Sequence, residues 1–153
     1  MELEIETTIH LIKLCVGAAS IDDLAQWQEG RLTASRAAGE RPPRIVHTTF
    51  QTPKREAELL RGGSLYWVIK GLIQVRQRVI GLDQGTKDDG SACCLIVLDT
   101  NLVPVRPVPR RPFQGWRYLS SDDAPPDLGS AAASALGDMP LEMRKDLASL
   151  GLL

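Results

Sequence analysis

The stretch Gly62–Asp83, GGSLYWVIKGLIQVRQRVIGLD, decides how the chain is read. Ser64–Ile69 is apolar, aromatic and β-branched, and Leu72–Leu82 is β-branched with Arg76 and Arg78 set into it. Lys70-Gly71 falls between them, where a two-residue hairpin turn belongs. Such a turn sets Ile69 opposite Leu72, Trp67 opposite Gln74 and Leu65 opposite Arg76. Trp67, Gln74, Arg76 and Arg78 then share one sheet face, and Tyr66, Val68, Ile73, Val75 and Val79 share the other. Tryptophan beside arginine on an open face suits a base stacked on the ring and a phosphate held by the guanidinium. A one-residue bulge would move Arg76 and Trp67 to opposite faces.

Working outward, Thr7–Val16 has apolar residues on both faces, the pattern of a central strand covered on each side. Ser20-Ile21-Asp22-Asp23 is a variant of the capping box and opens a helix to about Ala38, which Gly39 closes. Arg44–Phe50 alternates as a second strand. Thr52-Pro53 begins a short helix to about Leu60, ended by Gly62-Gly63. After the hairpin, Ala92–Asp99 is a fifth strand, and Leu102–Pro107 a sixth that Pro104 confines to an edge or bulge. Val105–Pro112 mixes proline with arginine as a semi-extended arm, and Phe113–Leu119 is a last short strand. From Ser120 the composition shifts; Ser121, Asp122 and Pro125 suggest a linker. A terminal helix follows Asp138-Met139-Pro140, with Met143, Leu147 and Leu150 on one stripe.

These elements predict a single α+β domain over residues 1–119 and an acidic tail with a short helix over 120–153. The sheet is expected to be curved and mostly antiparallel, or a small barrel, with two packed helices and bends at Gly71, Gly81 and Gly115.

The chain has 153 residues, enough for one core, and a net charge of −1, which by itself indicates no polyanion partner. The charge is unevenly placed. Residues 1–6 carry −3 through Glu2, Glu4 and Glu6, residues 120–153 carry −4, and the body between them carries +6. No secretory signal or membrane-spanning run opens the chain, and Cys15, Cys93 and Cys94 lack framework spacing, so the expectation is a cytoplasmic protein without membrane association. His10 and His47 are the only histidines, too few for a metal site without acid-rich spacing. Gly62-Gly63-Ser64 stands between a helix and a strand, the reverse of a phosphate loop, so neither metal nor other cofactor is expected.

One constellation carries binding chemistry: Lys54 and Arg55 at a helix start, Trp67, Lys70, Arg76 and Arg78 on the hairpin, and Arg110, Arg111, Trp116 and Arg117 near the end of the body. The runs His10–Gly17 (HLIKLCVG), 62–82 and Arg110–Leu119 (RRPFQGWRYL) closely resemble an alphaproteobacterial domain-of-unknown-function family over roughly residues 8–128. More distantly, the order of elements looks like the PUA-like barrels, ASCH and EVE modules among them. That resemblance implies binding of RNA or a modified nucleobase, and for some ASCH proteins hydrolysis of acylated nucleosides. The catalytic Lys, Thr and Glu of those hydrolases match no positions here. Three functions are therefore carried forward. The first is an RNA- or nucleobase-binding module on the Trp/Arg face. The second is a small enzyme on a nucleoside-like substrate with His47, Lys54 or Tyr66 at its centre, and the third a factor binding a protein partner or second copy through Leu141–Leu153.

Overall fold

The computed structural model describes residues 7–152; the acidic Glu2, Glu4 and Glu6, and Leu153 at the close of the expected terminal helix, lie outside the described residues. In chain order the elements are β1 (Ile9–Leu14), α1 (Ile21–Ala37), β2 (Ile45–Thr49), α2 (Glu56–Leu59), β3 (Ser64–Ile69), β4 (Leu72–Thr86), β5 (Ala92–Pro109), β6 (Trp116–Ser120), α3 (Ser130–Gly137) and α4 (Leu141–Ser149). The six strands form one sheet in the order β2-β5-β4-β3-β1-β6, antiparallel throughout except for the β1–β3 pair. The α+β class and the curved, mostly antiparallel sheet are as expected, but the barrel stays open.

Curvature shows in one contact. His47 on β2 and Trp67 on β3 are separated by two strands, yet their rings lie 5.1 Å apart. A flat sheet would hold them roughly 14 Å apart. At the open seam the loop after β2 is tied to β6 by side chains: Trp116 Nε1 donates to the Gln51 carbonyl at 2.8 Å, and the Arg55 N–H donates to Tyr118 Oη at 3.1 Å.

The hairpin departs from the simple register. Lys70 (φ 52°) and Gly71 (φ 81°) are both left-handed, as a type I′ turn requires, and Ile69 faces Leu72. The ladder then shifts at Gln74, so Trp67 faces Val75, Tyr66 faces Arg76 and Leu65 faces Gln77. The expected Trp67–Gln74 and Leu65–Arg76 pairs do not form, and Val75 and Val79 join Trp67 rather than Tyr66. Helix α1 supplies the reason. It covers the concave face, and an unshifted strand would drive Arg76 and Arg78 beneath it, away from water. With the bulge, Val75, Gln77 and Val79 turn inward, and Arg76 and Arg78 turn out. Strand β3 is buried on both faces, so it sets no preference. The Gln74 amide fills the bulge, donating to the Ile69 carbonyl at 2.8 Å.

The concave core gathers Leu11, Leu24, Ile45, Leu59, Leu65, Trp67 and Ile96 beneath α1 and α2. Ser20 Oγ accepts from the Asp23 N–H and so starts α1 at the expected place; Gly39, with φ 86°, follows its end. A Cβ on Gly63 would strike the carbonyl oxygens of Ile9 and Leu59, so that glycine lets β3 begin hard against β1 and α2.

The convex face holds a second cluster around Ile12, Tyr66, Val68, Ile73, Val105 and Leu119. Its cover is the segment after β6, which is a bonded strap and not the loose linker that its composition suggests. The Arg106 N–H donates to the Pro126 carbonyl and the Leu128 N–H to the Pro104 carbonyl, each at 2.9 Å. Asp127 accepts two hydrogen bonds from Arg76, both at 2.7 Å. Helix α4 adds Arg144, which donates to Gln74 Oε1. The expected fifth and sixth strands run on as one long β5, so the arm proper begins at Arg110.

Replacing Trp67 with Ala should cost about 3–5 kcal/mol, the usual range for emptying a buried aromatic site. Urea unfolding measures this; a loss well under 1 kcal/mol would mean that Trp67 is not a core residue.

Candidate functional site

Pro109 and Pro112 stiffen the chain as it leaves β5, and the Arg110 N–H donates to the Gly71 carbonyl at 2.9 Å, pinning the arm to the hairpin turn. Between the arm and β6 lies a cleft of about 530 Å³. Ile12 and Leu119 form its floor, and Arg110, Arg111, Phe113 and Arg117 stand around them. The Arg117 guanidinium sits 5.0 Å from the Phe113 ring centroid, a cation–π contact that leaves its N–H groups free to donate. Among the described residues no carboxylate is ion-paired with Arg110, Arg111 or Arg117, although Asp123 stands on the rim. Lys70 is exposed at the same end, and Lys145 of α4 brings its Nζ to 3.8 Å from where a Cβ on Gly71 would sit. An anion entering here meets guanidinium donors beside apolar and aromatic surface.

The other residues of the sequence constellation are placed elsewhere. Trp67 is 3% exposed and its Nε1 donates to Gln77, so it offers no stacking surface. Arg76 is held by Asp127, whose carboxyl the guanidinium keeps below its usual range. Arg78 is exposed opposite Ser64, at the far end of the hairpin from Lys70. Lys54 and Arg55 stand at the seam; Arg55 pairs with Glu58 and covers the Tyr118 ring at 5.4 Å. Trp116 is committed to the Gln51 carbonyl and meets Tyr118 edge to face at 4.9 Å. Of the ten residues, Arg110, Arg111 and Arg117 converge, with Lys70 at the same end. Phe113 and Lys145 complete the set without having been singled out in the sequence: Phe113 reads as a strand start, and Lys145 sits in an acidic tail.

The three alternative catalytic centres, His47, Lys54 and Tyr66, stand apart from one another. His47 lies on the concave face, Tyr66 on the convex face, and Lys54 is exposed before α2. A different pairing does occur, Ser121 Oγ at 3.2 Å from His10 Nε2. However, His10 Nδ1 accepts the Ser64 N–H at 3.0 Å, which puts the neutral ring's proton on Nε2. Ser121 Oγ donates in turn to the Thr8 carbonyl. That nitrogen is a donor toward Ser121 and has no lone pair with which to take its proton.

His47 is the other perturbed ring. Burial, then the charges of Lys13 and Arg31, pull its pKa down to about 4, and its buried Nε2 has no hydrogen-bond partner among the described residues. It lines a cavity of about 20 Å³ with Trp27, Gln28, Arg31 and Trp67, room for one water. The Cys15 thiol is pushed up to about 11, mainly by burial, and Cys93 and Cys94 are likewise free and buried. Among the described residues no three His, Cys, Asp or Glu side chains converge, and no helix is long and apolar enough to cross a membrane.

The molecule is thus an α+β protein built on an open, strongly curled sheet with an arginine-walled cleft beside one edge strand. Residues 11–153 match the family described as a protein of unknown function (DUF1489), and the chain belongs to that family. No curated protein and no solved structure matches it.

His47 makes stability depend on pH with a definite sign. Its folded pKa of about 4 lies below the ordinary imidazole value of 6.5, so its contribution is complete above pH 6.5 and is lost as pH falls toward 4. The loss is on the order of 3 kcal/mol over that window. His47→Leu should flatten this part of the stability profile, leaving a residual slope from His10, which burial and Arg76 also hold below its ordinary value. Parallel profiles for the two proteins between pH 6.5 and 4 would show that His47 is not the group responsible.

Proposed function

We infer that the protein binds single-stranded RNA, with the arginine cleft holding phosphates and Phe113 lying beside the bases. The observation that carries this reading is the convergence of Arg110, Arg111 and Arg117 around an apolar floor with no paired carboxylate among the described residues. Lys70 and Lys145 widen the positive rim, and the +6 charge of residues 7–119 favours encounter with a polyanion. The order of elements, similar to that of PUA-like barrels, favours RNA or a modified nucleobase over duplex DNA. Three unpaired thiols support a cytoplasmic setting, and the alphaproteobacterial resemblance suggests a bacterial one. A protein partner or second copy seated on the exposed Met143, Leu150 and Leu152 is the alternative reading.

Binding to short oligoribonucleotides should weaken steeply with salt. Each of Arg110→Ala, Arg111→Ala and Arg117→Ala should reduce the slope of log K against log salt by about 0.7, the value for one phosphate contact to a single strand. Arg78→Ala, away from the cleft, should leave the slope unchanged. An absence of binding at low salt would defeat the reading, as would equal slopes in all four variants.

A further inference from the structure

The end of β1 also borders a second concavity, on the α1 side of the sheet. This pocket of about 420 Å³ is lined by Val16, Gly17, Ala18, Asp23, Gln26 and Trp27. Small-ligand sites commonly measure roughly 300–1,000 Å³. Trp27 is 51% exposed and Val16 77%, so two large apolar side chains of one pocket are left uncovered. The Arg31 guanidinium lies 4.9 Å from the Trp27 ring centroid yet is not part of the pocket wall, so the indole meets the pocket on the side toward Asp23, one helical turn earlier. Asp23 Oδ2 accepts the Ala19 N–H at 2.9 Å, which fixes the carboxylate in place. Its Oδ1 accepts no hydrogen bond among the described residues, and no basic side chain lines the pocket.

A flat indole surface, an apolar wall and one anchored carboxylate select a planar ligand whose edge offers two adjacent donors, because an ionised carboxylate only accepts. Guanine has such an edge in N1–H and the N2 amine. Adenine and cytosine set an acceptor beside their amine, and uracil flanks its single N–H with two carbonyls.

We propose that this pocket holds a guanine base, stacked on Trp27 against Val16, with its Watson–Crick edge on Asp23 and the Gln26 amide facing O6. The assignment rests on the RNA reading above and specifies its preferred base. Ile12, in the floor of the arginine cleft, and Val16, in the wall of this pocket, lie four residues apart along the chain, the first on β1 and the second in the turn that follows it. One short strand can therefore place phosphates in the cleft and a base in the pocket around the end of β1.

The test compares binding of a short oligouridine with the same strand carrying one central guanosine, adenosine or cytidine. The guanosine strand should bind about tenfold more tightly than the others, the discrimination expected of one bidentate contact. Asp23→Asn, whose amide turns a donor toward the base, should remove that ratio while keeping the oligouridine salt slope, and Trp27→Leu should remove it too. The double variant Arg110→Ala/Arg111→Ala should weaken all four strands and keep the ratio. Equal affinity for all four strands in the unaltered protein overturns the guanine assignment and leaves the RNA reading standing. If no strand binds, the RNA reading falls. The pocket is then judged by titrating free guanosine, adenosine, cytidine and uridine against tryptophan fluorescence. Quenching by guanosine alone, lost in Trp27→Leu, supports the pocket, and no preference for guanosine overturns it.

Discussion

Gln77 is fully buried and has all four of its hydrogen-bonding positions filled. Its Nε2 donates to Gln28 Oε1 and to the Asp99 carbonyl, each at 2.7 Å. Its Oε1 accepts from Gln28 Nε2 at 2.7 Å and from Trp67 Nε1 at 3.2 Å. One amide thus joins α1, β3, β4 and β5 beneath the helix. In a buried setting an incomplete network of this kind would be costly, whereas a complete one fixes a single arrangement. The amide reaches that position only because the bulge at Gln74 turns Gln77 toward the concave face. The same shift of one residue sends Arg76 outward, where Asp127 receives it and anchors the strap across the convex face. Bulge, buried amide and strap therefore depend on one another.

This dependence also divides the chemistry of the molecule. Trp67, which an unbulged hairpin would set beside arginines, is instead packed in the core, and Trp116 seals the seam against the Gln51 carbonyl. The arginines left available are those that leave the sheet with the arm, where proline stiffness and the Arg110–Gly71 hydrogen bond hold the backbone while the side chains reach over β1 and β6. The acidic tail has a selective effect on this surface. Asp127 neutralises Arg76, but the tail's docking also brings Lys145 against the hairpin turn, so the same segment removes one positive group and adds another.

Local signals were readable in the sequence wherever the neighbouring residues themselves decide the backbone. The Ser20 cap, the Gly39 stop and the Lys70-Gly71 turn fall where residue chemistry places them. The bulge was not readable, because Leu65, Trp67 and Ile69 on one face of β3 are as apolar as Tyr66 and Val68 on the other. Both registers satisfy that strand, and the choice is made by α1, which lies far away in sequence. The strap was missed for the opposite reason. Its Ser, Asp and Pro composition resembles a linker, yet Pro125 is buried and the flanking carbonyls and N–H groups pair with β5. Arg110, Arg111 and Arg117 could be named from their proximity in sequence, whereas Lys145 enters through docking of α4, which no pattern near residue 145 encodes.

His10 shows why closeness alone does not make a catalytic device. Ser121 and His10 are within hydrogen-bonding distance, the separation at which a nucleophile and its base are expected. The partner of the second ring nitrogen decides the matter. In a working pair that partner accepts a hydrogen bond from Nδ1–H and leaves Nε2 as the base; here the Ser64 N–H donates to Nδ1 and leaves Nε2 protonated. Burial, and then the charge of Arg76, disfavour adding a second proton, so the ring keeps this neutral tautomer at ordinary pH. The contact then joins β1, β3 and the start of the strap through the His10 ring, which is a structural role. It braces the strap across the convex face, next to the β1–β6 edge that carries the arginine cleft.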